Sequence, residues 1–235
     1  SYALRPLHMK PDKVTLWDVV RISVPCGLQS SMYNISNLLV QIKINAFGTV
    51  AMAGTTAYGK IDAFVYMPMA ALSLAISTFV GQNIGAGRYD RMKKAIRVSL
   101  ALSICCVLVL CAVIFVFFEP LMHIFTDDEQ AIAFGRDMLY YLFPVVWFYS
   151  FVDIFSGAVR GSGQAVQVTV ICALCICVFR ILWLEALLPF FADIRVVYLC
   201  YPVSWVLCGL ALTWYYFRRS SLRRAIAQHT AAHTA

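Results

Sequence analysis

Residues 98–118 read VSLALSICCVLVLCAVIFVFF, without one charged side chain. An α-helix needs about 20 apolar residues to cross roughly 30 Å of hydrocarbon, and this run is that long. Residues 196–217 form a second uncharged run of the same kind. In lipid every backbone N–H and C=O must be satisfied within the protein, which leaves helices or closed barrels. Runs this continuous lack the alternation of a barrel strand. The chain is therefore predicted to be an all-α integral membrane protein.

Composition agrees. Hydrophobic residues make up 61% of the 235 and charged residues 13%, where a soluble domain carries about 45–50% and about 25%. Working outward from residues 98–118, six spans are predicted, near residues 22–42, 61–83, 98–118, 138–159, 166–190 and 196–217. Ala46-Phe47-Gly48-Thr49, Gly85-Ala86-Gly87, Glu119-Pro120, Gly161-Ser162-Gly163 and Pro189 supply the breaks between them. The division follows: residues 1–21 as a cytoplasmic linker, 22–217 as a six-helix transmembrane lobe, 218–235 as a basic cytoplasmic tail. The chain opens on Ser1 rather than Met, and its first twenty residues are polar and basic; this reads as a linker with further protein upstream.

The net charge of +7 does not point to nucleic acid, because the cations cluster in short segments flanking apolar runs. One side of the predicted membrane collects fourteen, from Arg5, Lys10, Lys13 and Arg21 through Arg88–Arg97 and Arg160 to Arg218, Arg219, Arg223 and Arg224. The other holds Lys43, Lys60, Arg136 and Arg195. Cytoplasmic loops carry the excess of Lys and Arg, so both termini are expected in the cytoplasm. The loop after the third span is acidic, with Glu119, Asp127, Asp128, Glu129 and Asp137. Residues 88–97, RYDRMKKAIR, read as a short amphipathic helix on the inner surface, held by its cations and by Met92 and Ile96.

The first span, ISVPCGLQSSMYNISNLLVQI (residues 22–42), is the unusual one. Gln29, Tyr33, Asn37 and Gln41 recur every four residues and form one stripe, with Ser30 and Asn34 beside it. So many polar groups in lipid need partners or water. Two readings stand: the stripe lines a wet cavity, or it bonds neighbouring helices together. Pro25 predicts a bend one turn before the stripe. Two charged residues fall inside spans. Asp153 lies about 9 Å from the inner end of the fourth, and Arg180 about 20 Å from the inner end of the fifth, at 1.5 Å per residue. Intramembrane ionisable groups are costly and commonly functional. Asp153 reads as an ion-coupling group or as a hydrogen-bond acceptor near the interface. Arg180 reads as a structural residue reaching toward Glu185 or the outer carboxylates.

Enzyme chemistry finds no constellation. His8, His123, His229 and His233 are scattered, and no Ser/His/Asp set or H-E-x-x-H occurs. Gly81–Gly87 lacks the Lys-Ser/Thr of a phosphate loop and serves as a helix end. All nine cysteines fall in predicted spans; Cys172, Cys175 and Cys177 lack a fourth ligand for zinc and read as small hydrophobes. No bound cofactor is expected.

Several stretches carry a family resemblance. They are IDAFVYMPMAALSLAISTFVGQNIGAGRYDRMKKAIRVSL (residues 61–100), FTDDEQAIAFGRDMLYYLFP (125–144), SGAVRGSGQA (156–165) and the polar first helix. In this order they resemble the C-terminal lobe of MATE (multidrug and toxic compound extrusion) transporters. The resemblance implies twelve helices in two six-helix bundles around a central cavity, with Na⁺ or H⁺ exchanged for organic, often cationic, drugs. This chain would be the second bundle, in a bacterial inner membrane. Its partners would be the lipid bilayer, an N-terminal six-helix lobe and small organic substrates. Many sodium-coupled relatives carry carboxylates in the first and fourth helices of this bundle. Here the first has none, and Asp153 sits in the right helix about one turn toward the cytoplasm. The alternatives are a lipid-linked oligosaccharide flippase of the same superfamily, or a six-helix membrane protein that transports nothing.

Overall fold

The computed structural model describes residues 13–222. The predicted linker before Lys13 and the tail after Leu222, with Arg5, Lys10, Arg223 and Arg224, lie outside the described residues. In chain order the helices are α1 (Lys13–Asn45), α2 (Thr49–Gly85), α3 (Tyr89–Val116), the short α4 (Phe118–His123), α5 (Glu129–Val146), α6 (Tyr149–Gly161) and α7 (Ala165–Cys172). A π-helical turn (Ala173–Val178) leads into α8 (Phe179–Leu187), and α9 (Ile194–Arg218) follows. No strand occurs among the described residues.

These elements assemble into six rods: α1, α2, α3, the α5–α6 pair, the α7–α8 run and α9. Four are long and apolar enough to cross a membrane, and the α5–α6 pair, bent by 51°, makes a fifth. The sixth, α1, has ample length at 33 residues; its amides and hydroxyls dilute its hydrophobicity. Leu74 and Val116, each 71% exposed, face outward from the bundle. A lipid-facing surface is expected to look like this, whereas a soluble monomer rarely exposes large apolar patches.

Four boundaries differ from the sequence reading. The first helix begins at Lys13, so residues 13–21 are its opening turns rather than linker. It also runs unbroken through Pro25. The second helix starts at Thr49, twelve residues before the predicted span, and at 37 residues is the longest. The segment RYDRMKKAIR is not a separate surface helix. It is the first part of α3, and Met92 and Ile96 are buried in the protein core rather than in lipid. The third helix ends at Val116, so Glu119-Pro120 falls inside α4.

Two turns at the basic end share one geometry. Gly87 (φ +68°) and Gly163 (φ +82°) adopt the left-handed conformation that favours glycine. In each, the next residue's N–H reaches back five positions: Arg88 to the Asn83 carbonyl (2.9 Å) and Gln164 to the Val159 carbonyl (3.3 Å). That pattern satisfies orphan carbonyls at a helix end. Gln164 then ties this turn to the end of α9, donating to the Tyr215 hydroxyl (2.9 Å) and accepting from the Ser221 N–H (3.0 Å).

The core is held by close packing of α2 on α5 and α6. A Cβ on Gly54 would fall inside the Ala131 carbonyl, one on Gly157 inside the Ser73 carbonyl, and one on Gly161 inside the Ser77 carbonyl. Small residues let helix backbones approach where lipid offers no hydrophobic drive for association. Two buried clusters result, one around Tyr58, Met69, Leu142 and Tyr198, the other around Ile76, Met92, Val159 and Leu212.

Candidate functional site: two polar cavities in the bundle

The polar stripe of α1 opens onto two cavities. The upper, about 400 Å³, is lined by Tyr33, Asn37 and Gln41 of α1, by Asp62 of α2, by Arg180 of α8 and by the rings of α9. The lower, about 550 Å³, takes Gln29 and Ser30 from α1, Ser73 and Ser77 from α2, and Asp153 and Arg160 from α6. Tyr33 and Tyr149 line both. Tyr149 meets Tyr66 edge-on at 5.6 Å and Trp205 at 5.8 Å. This aromatic group stands between the cavities, with geometry that suits ring quadrupoles.

Arg180 is the anchor of the upper cavity. Only 4% of it is exposed. Its Nε–H donates to the Ser204 hydroxyl (3.0 Å) and its Nη1–H to the Asn37 side-chain oxygen (3.0 Å), while Tyr201 lies under the guanidinium at 4.4 Å. Ser204 is itself fixed by donating to the Tyr201 carbonyl (2.7 Å). The sequence-based expectation that Arg180 reaches Glu185 is overturned: Glu185 pairs with Lys43 at 2.7 Å. Arg180 turns inward instead, because Asn37 and Ser204 offer acceptors at its own depth.

Asp62 faces the same cavity. It is 7% exposed, and the Tyr58 hydroxyl lies 3.4 Å from its Oδ1. Among the described residues no ion pair joins Asp62 to Arg180. Asp62 is not among the sequence-predicted site residues, because a second span beginning at Ile61 places it at the membrane edge, whereas α2 begins at Thr49. The signal was there: Tyr58, Asp62, Val65, Met69, Ser73, Ile76 and Val80 are all buried and recur at three and four residues, the period of one helix face.

The stripe divides in its partners. Gln29 is buried, and its side-chain oxygen lies 3.5 Å from the Thr169 hydroxyl, which also reaches the Pro25 carbonyl at 3.0 Å. It therefore joins α1 to α7. Asn37 joins α1 to Arg180. Gln41 donates to Asn45 along its own helix (3.0 Å). Asn34 is exposed and lines neither cavity. In the lower cavity, the backbone carbonyl of Asp153 accepts from the Ser73 hydroxyl (2.8 Å), which leaves its carboxylate to the cavity, and the buried Arg160 Nε has no hydrogen-bond partner among the described residues. Asp153 and Arg180 thus lie in different cavities, as their depths predict. Among the described residues no three His, Cys, Asp or Glu side chains gather as for a metal ion.

The chain is similar to bacterial transporters. It is 26% identical over 215 residues to the probable multidrug resistance protein YoeA of Bacillus subtilis, covering 89% of this chain and 45% of that protein. It is 25% identical over 171 residues to the probable multidrug resistance protein NorM of Thermotoga maritima, covering 73% and 37%. The chain thus spans less than half the length of these relatives. A solved structure of an outward-facing multidrug resistance MATE family transporter superimposes with a TM-score of 0.77 at 18% identity, over 87% of this chain and 45% of that one. The sequence model of the MatE family matches residues 25–183, which take in the polar stripe, Asp62, Asp153 and Arg180, and on that match the chain belongs to the MATE transporter family.

Proposed function

We propose that this chain is the C-terminal six-helix half of a Na⁺- or H⁺-coupled exporter of small organic molecules, working with an N-terminal six-helix lobe in a bacterial inner membrane, both termini in the cytoplasm. The observation that carries this reading is the gathering of Asn37, Asp62 and Arg180 around one cavity inside a bundle with an apolar exterior. Such groups are costly in a membrane and are kept where a pathway needs them. The relatives' names as multidrug resistance proteins support it, and their greater length supports the missing lobe.

In this reading the α1 stripe, Gln29, Tyr33, Asn37 and Gln41, forms this half of the substrate cavity, with Asn34 directed toward the companion lobe. Asp153 and Asp62 are the two carboxylates that can exchange a proton or bind Na⁺ during the cycle. The test is ion-gradient-driven dye efflux from vesicles holding the complete transporter. Asp153→Asn keeps the shape and hydrogen bonding of the side chain but cannot ionise. Loss of gradient-driven efflux is expected for Asp153→Asn or Asp62→Asn, with dye binding retained in Asp153→Asn. Wild-type efflux in both, and in the double variant, would remove coupling from this lobe.

A further inference from the structure

Arg180 has donors to spare. A guanidinium carries five N–H groups in a planar fork. Here Nε reaches Ser204 and Nη1 reaches Asn37. Among the described residues Nη2 has no hydrogen-bond partner and no carboxylate closes on the guanidinium. A charge buried to 4% exposure without a counter-ion is unfavourable. The two neutral acceptors and the Tyr201 face hold the fork in one orientation without neutralising it. A fixed planar fork with its outer edge on a cavity suits bidentate capture of a carboxylate or phosphate.

Asp62 supplies the opposite charge to the same cavity, and no ion pair among the described residues cancels the two. Tyr66, Tyr201 and Trp205 line the space between their helices, offering ring faces and edges to a flat ligand. A simple organic cation would meet Arg180 with repulsion, and a simple organic anion would meet Asp62 in the same way.

From this arrangement we infer that the upper cavity binds an aromatic zwitterion, its anionic group on Arg180 and its cationic group toward Asp62. The inference rests on the exporter reading above and names the substrate class of that site. Asn37 is then a positioning residue, fixing Arg180 rather than holding the ligand.

Three dyes separate the charges: a rhodamine with a free carboxylate (zwitterion), its methyl ester (cation only) and a fluorescein (anion only). Binding is read by dye anisotropy and Trp quenching with the complete transporter in detergent, and export in vesicles. The wild type is expected to bind the rhodamine acid about tenfold more tightly than either other dye, a difference of about 1.4 kcal/mol. Arg180→Gln should erase the preference for acid over ester. Arg180→Lys keeps the charge without the fork and should cut that preference several-fold, which keeps the test decisive if Arg180→Gln does not fold. Asp62→Asn should erase the preference for the acid over fluorescein. Equal affinity for acid and ester in the wild type, no binding of the acid, or an acid-to-ester ratio unchanged in Arg180→Lys overturns the inference. Failure of the exporter reading looks different: no dye is exported by the wild type, whatever it binds.

Discussion

Gln29 and Asn37 lie two turns apart on one face of α1, and the fold gives them different work. Gln29 is buried against Thr169 and the Pro25 turn, a bond between helices. Asn37 is open to the cavity and spends its oxygen on Arg180. Gln29→Ala should therefore lower thermal stability in detergent by about 0.6 kcal/mol, the average for an interhelical bond in a membrane, and leave the pattern of dyes exported unchanged. Asn37→Ala frees Arg180 to turn and should change the dye pattern more than the melting temperature. The reverse assignment, with selectivity lost at Gln29 and stability at Asn37, would show that the cavity runs along the other half of the stripe. The sequence made the stripe legible through its four-residue spacing alone. It could not say which amide finds a partner, since Thr169 and Arg180 come from elements about 140 residues away. Asp62 was hidden for a different reason: hydropathy places a span's edge poorly when a helix continues past the membrane, and α2 does so, at roughly 55 Å for 37 residues at 1.5 Å each.

The α5–α6 pair shows how one element sets the shape of both cavities. Pro144 leaves a backbone position without its N–H, and a few residues later the helix breaks. The Phe148 and Phe151 N–H groups turn to carbonyls three residues back (2.9 and 3.0 Å). The Pro144 carbonyl, which an uninterrupted helix would give to Phe148, accepts the Trp147 indole N–H at 2.9 Å. The 51° bend that results comes just before Tyr149, which lines both cavities, and Asp153, which lines the lower. Trp147→Phe keeps the ring and removes the donor. A stability loss of about 1 kcal/mol, the usual worth of one hydrogen bond, is expected in thermal unfolding. An unchanged unfolding midpoint would show that the indole does not hold the break. In the sequence, Pro144 marked only the end of a family-like stretch. The bend itself depends on which carbonyl the indole reaches, and spacing does not encode that. The positions of the Gly87 and Gly163 turns were legible, because glycine beside a polar cluster at the end of an apolar run has few other uses.

At the scale of the whole molecule, the bundle is well packed on one side and unfinished on another. α2, α3, α5, α6 and α9 supply most of the two buried clusters, while α1 leaves Asn34 and Asn37 exposed beside Leu28, Ile35 and Leu38. In the proposed function this mixed face of α1 is the one that meets the companion lobe. All-helical membrane class and six rods were legible from composition and run length, since lipid permits so few alternatives. The cavities were not, because the upper one forms where five rods meet and the lower where three do, all from segments distant in sequence. The proposed function makes this chain half of a transporter whose cavity closes only against a second lobe. The most direct measurement is gradient-driven efflux of a fluorescent dye from sealed vesicles, comparing this chain alone with the same chain joined to an N-terminal six-helix lobe of the family. Efflux from the joined protein and none from the chain alone is the expected result; efflux from vesicles that contain only this chain would contradict it.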